Sequence, residues 1–193
     1  PCTISGKLFS LSSQAKFWKE NDKYKFKYNY FITPEDKWET TDTIKAGSIV
    51  NTYAMKNLRG KYANVFFIGQ NGGFEDTADL IKQLRAMISY SKSNRYIVLS
   101  FHTPNKRING IIRMKEMEDS LQQAFGKHYI NLREYMVKNG LADADLTPTK
   151  ADKESIANGH VPTQLMTDGT HFTTAGYKEI ATLVVQKMKE LGY

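Results

Sequence analysis

Val65-Phe66-Phe67-Ile68-Gly69-Gln70-Asn71-Gly72-Gly73 joins a continuous apolar run to a glycine-rich loop. Four apolar residues in a row, with no polar alternation, have the look of a parallel strand buried on both faces. The glycines that follow suit a tight turn or a close backbone approach to a ligand. Beyond them a helical pattern runs from Glu75 to Tyr90, with Leu80, Ile81, Leu84, Met87 and Ile88 at three- and four-residue spacing. Tyr96 to Phe101 reads as a second buried strand, ending at His102-Thr103-Pro104, and Arg107 to Phe125 as a second helix stopped by Gly126. Tyr129-Ile130-Asn131-Leu132 is a third short strand, followed by a short helix from Arg133 to Asn139 closed by Gly140. Strand and helix alternating in this way imply right-handed crossovers and a parallel sheet with helices on both faces.

The flanks differ from this body. A polar stretch from Leu141 to Thr170 holds one short helix, because Thr149-x-x-Asp152 fits a capping box and Gly159 a stop. The last element runs from Thr174 to Leu191, with Tyr177, Ile180, Ala181, Val184, Met188 and Leu191 on one face and Thr173 or Thr174 as N-cap. The first ~50 residues alternate with period two instead. Tyr24, Phe26, Tyr28, Tyr30 and Ile32 share one face of a strand, and Lys23, Lys25, Lys27 and Asn29 the other. Such an aromatic row serves as core or as a stacking surface for sugar. Leu8 to Leu11 and Ser48 to Ala54 are weaker strand candidates, and Thr33-Pro34-Glu35-Asp36 reads as a turn. The expected fold is therefore α/β: a three-layer α/β/α body with a parallel sheet over 57–193, preceded by a small N-terminal antiparallel β-rich appendage over 1–56.

Composition narrows the classes of function. The 193 residues are 40% hydrophobic, ample for a buried core, and no apolar run approaches the ~20 residues that span a bilayer. A single cysteine, Cys2, excludes an internal disulfide or a cysteine-based metal cluster. No signal peptide is visible, but the sequence opens at Pro1 without Met, which suggests a processed or trimmed N-terminus. The net charge of +7 favours acidic surroundings, yet the lysines are dispersed and no arginine block interleaves with aromatics. A solvated basic surface explains this better than a nucleic-acid site.

Two short stretches carry candidate chemistry. In Thr167-Asp168-Gly169-Thr170-His171 the carboxylate can turn back onto one ring nitrogen of the histidine, fixing its tautomer and leaving the other nitrogen as a base. The plain reading is a turn with a surface histidine. In Gly69-Gln70-Asn71 a backbone N–H and an amide converge at a strand's carboxyl end, where ligands gather in parallel sheets. That loop reads as an oxyanion hole, a tight turn or a phosphate cradle, although neither G-x-G-x-x-G nor the P-loop spacing is present. His102 is either a cleft-lining substrate contact or a loop histidine without a role. His128 and His160 read as structural or surface residues, and Arg133 as the partner of a helix carboxylate.

Taken in order, strand–G-x-N, two further strand–helix units and D-x-x-H leading into a final helix resemble the SGNH hydrolases, the GDSL-type esterase superfamily. The resemblance spans about Leu58 to Tyr193. Phe67-Ile68-Gly69-Gln70-Asn71-Gly72 is similar to that family's third block, and Asp168-Gly169-Thr170-His171 with Ala175-Gly176-Tyr177 to its fifth. Ile130-Asn131-Leu132-Arg133-Glu134-Tyr135 and Leu165-Met166-Thr167-Asp168-Gly169 resemble a bacterial branch with a β-rich insert before the third block. The resemblance implies a flavodoxin-like body, His171 as general base, Asp168 as its orienting acid, and Gly69 and Asn71 as oxyanion donors. It also implies hydrolysis of acyl or acetyl esters of carbohydrate or lipid, with no metal or organic cofactor.

The family's Gly-Asp-Ser nucleophile block and its second, glycine-bearing block are absent. The chain is thus expected to be the C-terminal part of a longer hydrolase, inactive by itself. Asn64 to Ile68 would then present an unpaired apolar edge, to be filled by the missing segment, a second polypeptide or self-association. The rivals are a non-catalytic carbohydrate- or surface-binding protein on the same fold and, more weakly, a nucleotide-binding α/β domain using Gly72-Gly73. Family habit leans towards an extracytoplasmic location.

Overall fold

In the computed structural model, the described residues are 2–4, 7–20, 23–34, 45, 47–104 and 110–193. The chain divides into two compact units, Pro1–Arg59 and Gly60–Tyr193.

The first unit is an antiparallel sheet of order β3-β2-β1-β4, built from β1 (Cys2–Ile4), β2 (Lys7–Glu20), β3 (Lys23–Pro34) and β4 (Asn51–Thr52). Period-two patterning accounts for β3, which pairs with β2 in register from Phe9↔Pro34 to Glu20↔Lys23. Leu8 to Leu11 is only the start of β2: the polar Ser12, Ser13 and Gln14 also extend, because β3 supplies their ladder partners. Ile4 and Phe9, with Val50 against them, form a small core, while Leu11 and Ile32, opposite each other in register, are both exposed. The side chains of Tyr24, Phe26, Tyr28 and Tyr30, and the turn residues Glu35 and Asp36, lie outside the described residues. Ser48 to Ala54 is a strand only at Asn51–Thr52. Thr52 then caps helix α1 (Tyr53–Leu58), its hydroxyl accepting from the Met55 N–H at 3.2 Å.

The second unit is mixed α/β around a parallel three-stranded sheet of order β5-β6-β7: β5 (Asn64–Phe66), β6 (Tyr96–Leu99) and β7 (Tyr129–Ile130). Its helices are α2 (Thr77–Ser91), α3 (Gly110–Phe125), α4 (Leu132–Lys138), α5 (Gly140–Asp143), α6 (Lys150–Ala157) and α7 (Thr174–Glu190). Asp76 caps α2, and the expected capping box of Thr149 and Asp152 opens α6. Arg107, expected at the start of α3, lies outside the described residues. Asn131 and Leu132 do not extend β7: Asn131 accepts from the Glu134 N–H and caps α4. Gly140 is no stop either. It opens α5 without the left-handed φ of a stop, and glycine is needed there because a Cβ would come within 2.7 Å of Leu165 and 3.1 Å of the Met136 sulfur.

One expectation about the sheet is overturned. The Val65–Ile68 run is not a doubly buried strand: Val65 is 46% and Phe67 37% exposed. Val65 pairs with Ile97, so the two lie on one face, which carries a cluster including Ile97, Leu99, Ile130, Ile180 and Leu183. That cover reaches β6 and thins at β5, which has no second strand partner among the described residues. Only the Asn64 and Phe66 side of β5 is buried.

Candidate functional site

The Asp168–His171 turn is held at its base by strand-like and capping bonds. Met166 and Phe172 form an antiparallel bridge, and the Thr167 N–H donates to the His171 carbonyl at 2.8 Å. The Thr173 N–H then donates to the Leu165 carbonyl, while its side chain caps α7 by accepting from Gly176. Gly176 is required here, since a Cβ would stand 2.7 Å from both the Leu165 carbonyl oxygen and the Phe172 ring.

Within this frame Asp168 does two things. Its Oδ1 accepts the backbone N–H groups of Thr170 and His171, each at 2.7 Å, and its Oδ2 meets His171 Nδ1 at 2.9 Å. The His171 ring, followed by these two N–H groups, holds the Asp168 carboxyl down to about 2. A carboxylate that stays ionised keeps the proton of neutral His171 on Nδ1 and leaves Nε2 as the basic nitrogen. No described group hydrogen-bonds Nε2, and the side chain is 69% exposed.

At the end of β5, Gly69 adopts φ +101° and its carbonyl accepts from the Gly72 N–H at 3.0 Å. A Cβ at Gly69 would press 2.9 Å from the Phe101 ring, so glycine is demanded by both conformation and space. Asn71 is exposed, and among the described residues nothing engages its amide. Gln70, between them, is structural. Its Nε2 donates to the Thr103 carbonyl and hydroxyl at 3.0 and 2.9 Å, and its Oε1 accepts from the His102 N–H at 3.1 Å. The loop after β5 is thereby tied to the loop after β6.

His102 is not a surface loop histidine. It is 5% exposed, its Nε2 lies 2.5 Å from the Thr170 carbonyl, and its ring packs between Phe67 and Phe172. Burial, and to a lesser degree nearby His171, lower its proton affinity against the opposing pull of the Thr170 carbonyl. The two stretches singled out by sequence thus meet through one residue. An open cleft of about 670 Å³ flanks the turn on its Asp168–Gly169 side, lined also by Thr103, Ser155, His160 and Met166. His160 therefore borders a cleft, a position that no local signal announces.

The other polar residues are framework. Arg133 makes a buried two-armed pair with Glu118 of α3, at 2.6 and 2.5 Å, and donates to the Gly159 carbonyl, the carboxylate partnership expected for it. His128 stacks on Tyr96 and meets the Tyr193 hydroxyl, away from the turn in sequence and in contacts. Ser100 is fully buried and its hydroxyl accepts from the Leu132 N–H, which places it in the core. Among the described residues no cluster of three or more His, Cys, Asp or Glu is poised for a metal, and no helix is long and apolar enough to cross a membrane.

No family model, no curated protein and no solved structure matches the chain.

Proposed function

We propose that Gly60–Tyr193 is the acid–base and oxyanion portion of an SGNH-type serine esterase on a three-layer α/β/α body, acting on acyl or acetyl esters of carbohydrate or lipid. The observation that carries this reading is the Asp168–His171 contact at 2.9 Å, with Nε2 unengaged among the described residues, in a turn that His102 ties to the loop after β6. In the proposed reaction a serine Oγ attacks the ester carbonyl as its proton passes to His171 Nε2. The Gly69 N–H and the Asn71 amide stabilise the resulting oxyanion. His171 then returns the proton to the leaving alkoxide, and water repeats the cycle on the acyl-serine.

The sequence holds no Gly-Asp-Ser block and no described serine meets Nε2, so we assign the nucleophile to a segment outside this sequence, seated against the edge of β5 that has no strand partner among the described residues. The protein carrying that serine is expected to react with a fluorophosphonate probe and hydrolyse aryl acetates, and His171→Ala to abolish both. The 193-residue chain alone should not exceed background. Turnover by the chain alone that His171→Ala removes, or a complete protein indifferent to that change, would overturn the reading. The same lack of a serine favours, as second reading, a non-catalytic carbohydrate- or surface-binding protein. Glycan binding by the complete protein, with no hydrolysis and no loss on His171→Ala, is the result that selects it. A clean monomer in sedimentation would argue against self-association at β5.

A further inference from the structure

We propose that His102 is a positioning residue that clamps the Thr170 carbonyl and so holds the Asp168–His171 turn in its working geometry. The role rests on His171 being the base, but the clamp itself is measurable without substrate.

Thr170 C=O and His171 N–H belong to one planar peptide unit. Its oxygen is engaged by His102 Nε2 at 2.5 Å, and its N–H by Asp168 Oδ1 at 2.7 Å. Fixed at both ends, the plane cannot rotate, and that rotation is what would carry the His171 ring away from Asp168 Oδ2. A carbonyl can only accept, so His102 carries its proton on Nε2. Its Nδ1 is buried with no partner among the described residues. A second proton there would be buried without an acceptor among the described residues, on a ring packed against Phe67 and Phe172, so the clamp operates with neutral imidazole. The titratable groups on the side of the turn are His171 and Asp168; the packing rings of Phe67 and Phe172 carry no charge. The His102 N–H is itself held by Gln70 Oε1 at 3.1 Å, so one residue sets the turn against the Gly69–Asn71 loop.

Three NMR measurements test this: imidazole tautomers from long-range nitrogen–proton correlations, the carboxyl titration of Asp168, and exchange of the His171 Nδ1 proton. In the wild-type protein His102 should be the neutral Nε2–H form and His171 the Nδ1–H form near neutral pH. His102→Phe keeps an aromatic ring but no donor. It should raise the Asp168 carboxyl from its value of about 2 by about one unit or more towards the ordinary range, and speed the exchange roughly tenfold. His102→Gln returns an N–H near the Nε2 position and should restore both. In the catalytically complete protein, His102→Phe should lower kcat with little change in KM.

An Nδ1–H tautomer of wild-type His102 would overturn the proposal, as would His102→Phe with wild-type titration and exchange. If His102→Phe does not fold, the wild-type tautomer and His102→Gln decide: a folded Gln variant with a released Asp168 is also a refutation. An intact clamp in a protein whose hydrolysis ignores His171→Ala would instead refute the esterase reading and leave the clamp standing.

Discussion

Asp152→Asn is expected to be among the costlier single-atom changes in the second unit. The Asp152 carboxylate has no exposure, yet it is ringed by donors. Oδ1 accepts from the Thr163 hydroxyl at 2.8 Å and the Gln164 N–H at 3.0 Å. Oδ2 accepts from the Thr149 N–H at 2.9 Å, the Thr149 hydroxyl at 2.5 Å and the Gln164 amide at 2.7 Å. An asparagine can offer its oxygen to one set, and must then turn an NH₂ group on the other. The Thr163 hydroxyl can turn to accept from that NH₂, but the Gln164 N–H loses its acceptor, and at about 1.5–3 kcal/mol for a hydrogen bond to a charged group the change costs roughly that much or more. Burial alone would raise this carboxyl, but the Thr149, Gln164 and Thr163 donors outweigh it and hold it well below the usual carboxylate range. A folded-state value below the unfolded one contributes stability that is complete above the unfolded pKa, about 3.9, and is lost as pH falls towards the folded value. Urea unfolding followed by circular dichroism should therefore show a wild-type-to-Asn gap that is constant from pH 7 to about 5 and shrinks by pH 3. A gap under about 1 kcal/mol at pH 7, or one unchanged at pH 3, would refute the reasoning.

The remaining predictions concern the turn, its helix and the buried pair. Asp168→Asn in the catalytically complete protein should cut kcat by on the order of 10²–10⁴, since an amide facing Nδ1 favours the wrong tautomer. Because hydrogen bonds from His171 and Thr170 hold the Asp168 carboxyl down to about 2, its protonation should not shape the rate profile of the complete protein above about pH 4; an acid limb above that pH which Asp168→Asn removes would count against this. Gly176→Ala should reverse the sign usual in helices. Instead of stabilising by about 1 kcal/mol it should destabilise by about 1–3, because the new Cβ meets a backbone carbonyl, and a rise in Tm would show the clash to be imaginary. Glu118→Gln should cost about 3–5 kcal/mol by leaving Arg133 buried without its counter-charge, whereas an apolar replacement of both residues should be nearer neutral in the same denaturation assay.

Much of the local structure was legible because its causes are local. Asp168 and His171 are three residues apart, and a short turn is enough to join them. The Thr149–Asp152 capping box was legible for the same reason, as was a threonine cap for α7, although sequence left Thr173 and Thr174 open and the structure selects Thr173. Strand β3 declared itself by period-two alternation, but β2 did so only where it is apolar: its serines extend because β3 lies beside them. Gly140 misled, since a glycine admitted for close packing and one that ends a helix are identical in sequence.

The Asp168–His171 contact, then, was determined by sequence: residue types, spacing and the short loop that lets them touch. What only the tertiary structure decided is how they are held and what surrounds them. Gln70 bonds a loop 33 positions away because β5 and β6 run parallel and end side by side, and His102 bonds a carbonyl 68 positions away because the turn before α7 packs against the loop after β6; neither contact leaves a periodic trace. The exposure of Val65 and Phe67 has the same origin. An apolar run states an appetite for cover, and only the order of strands in the sheet and the reach of the packed elements determine whether cover is there.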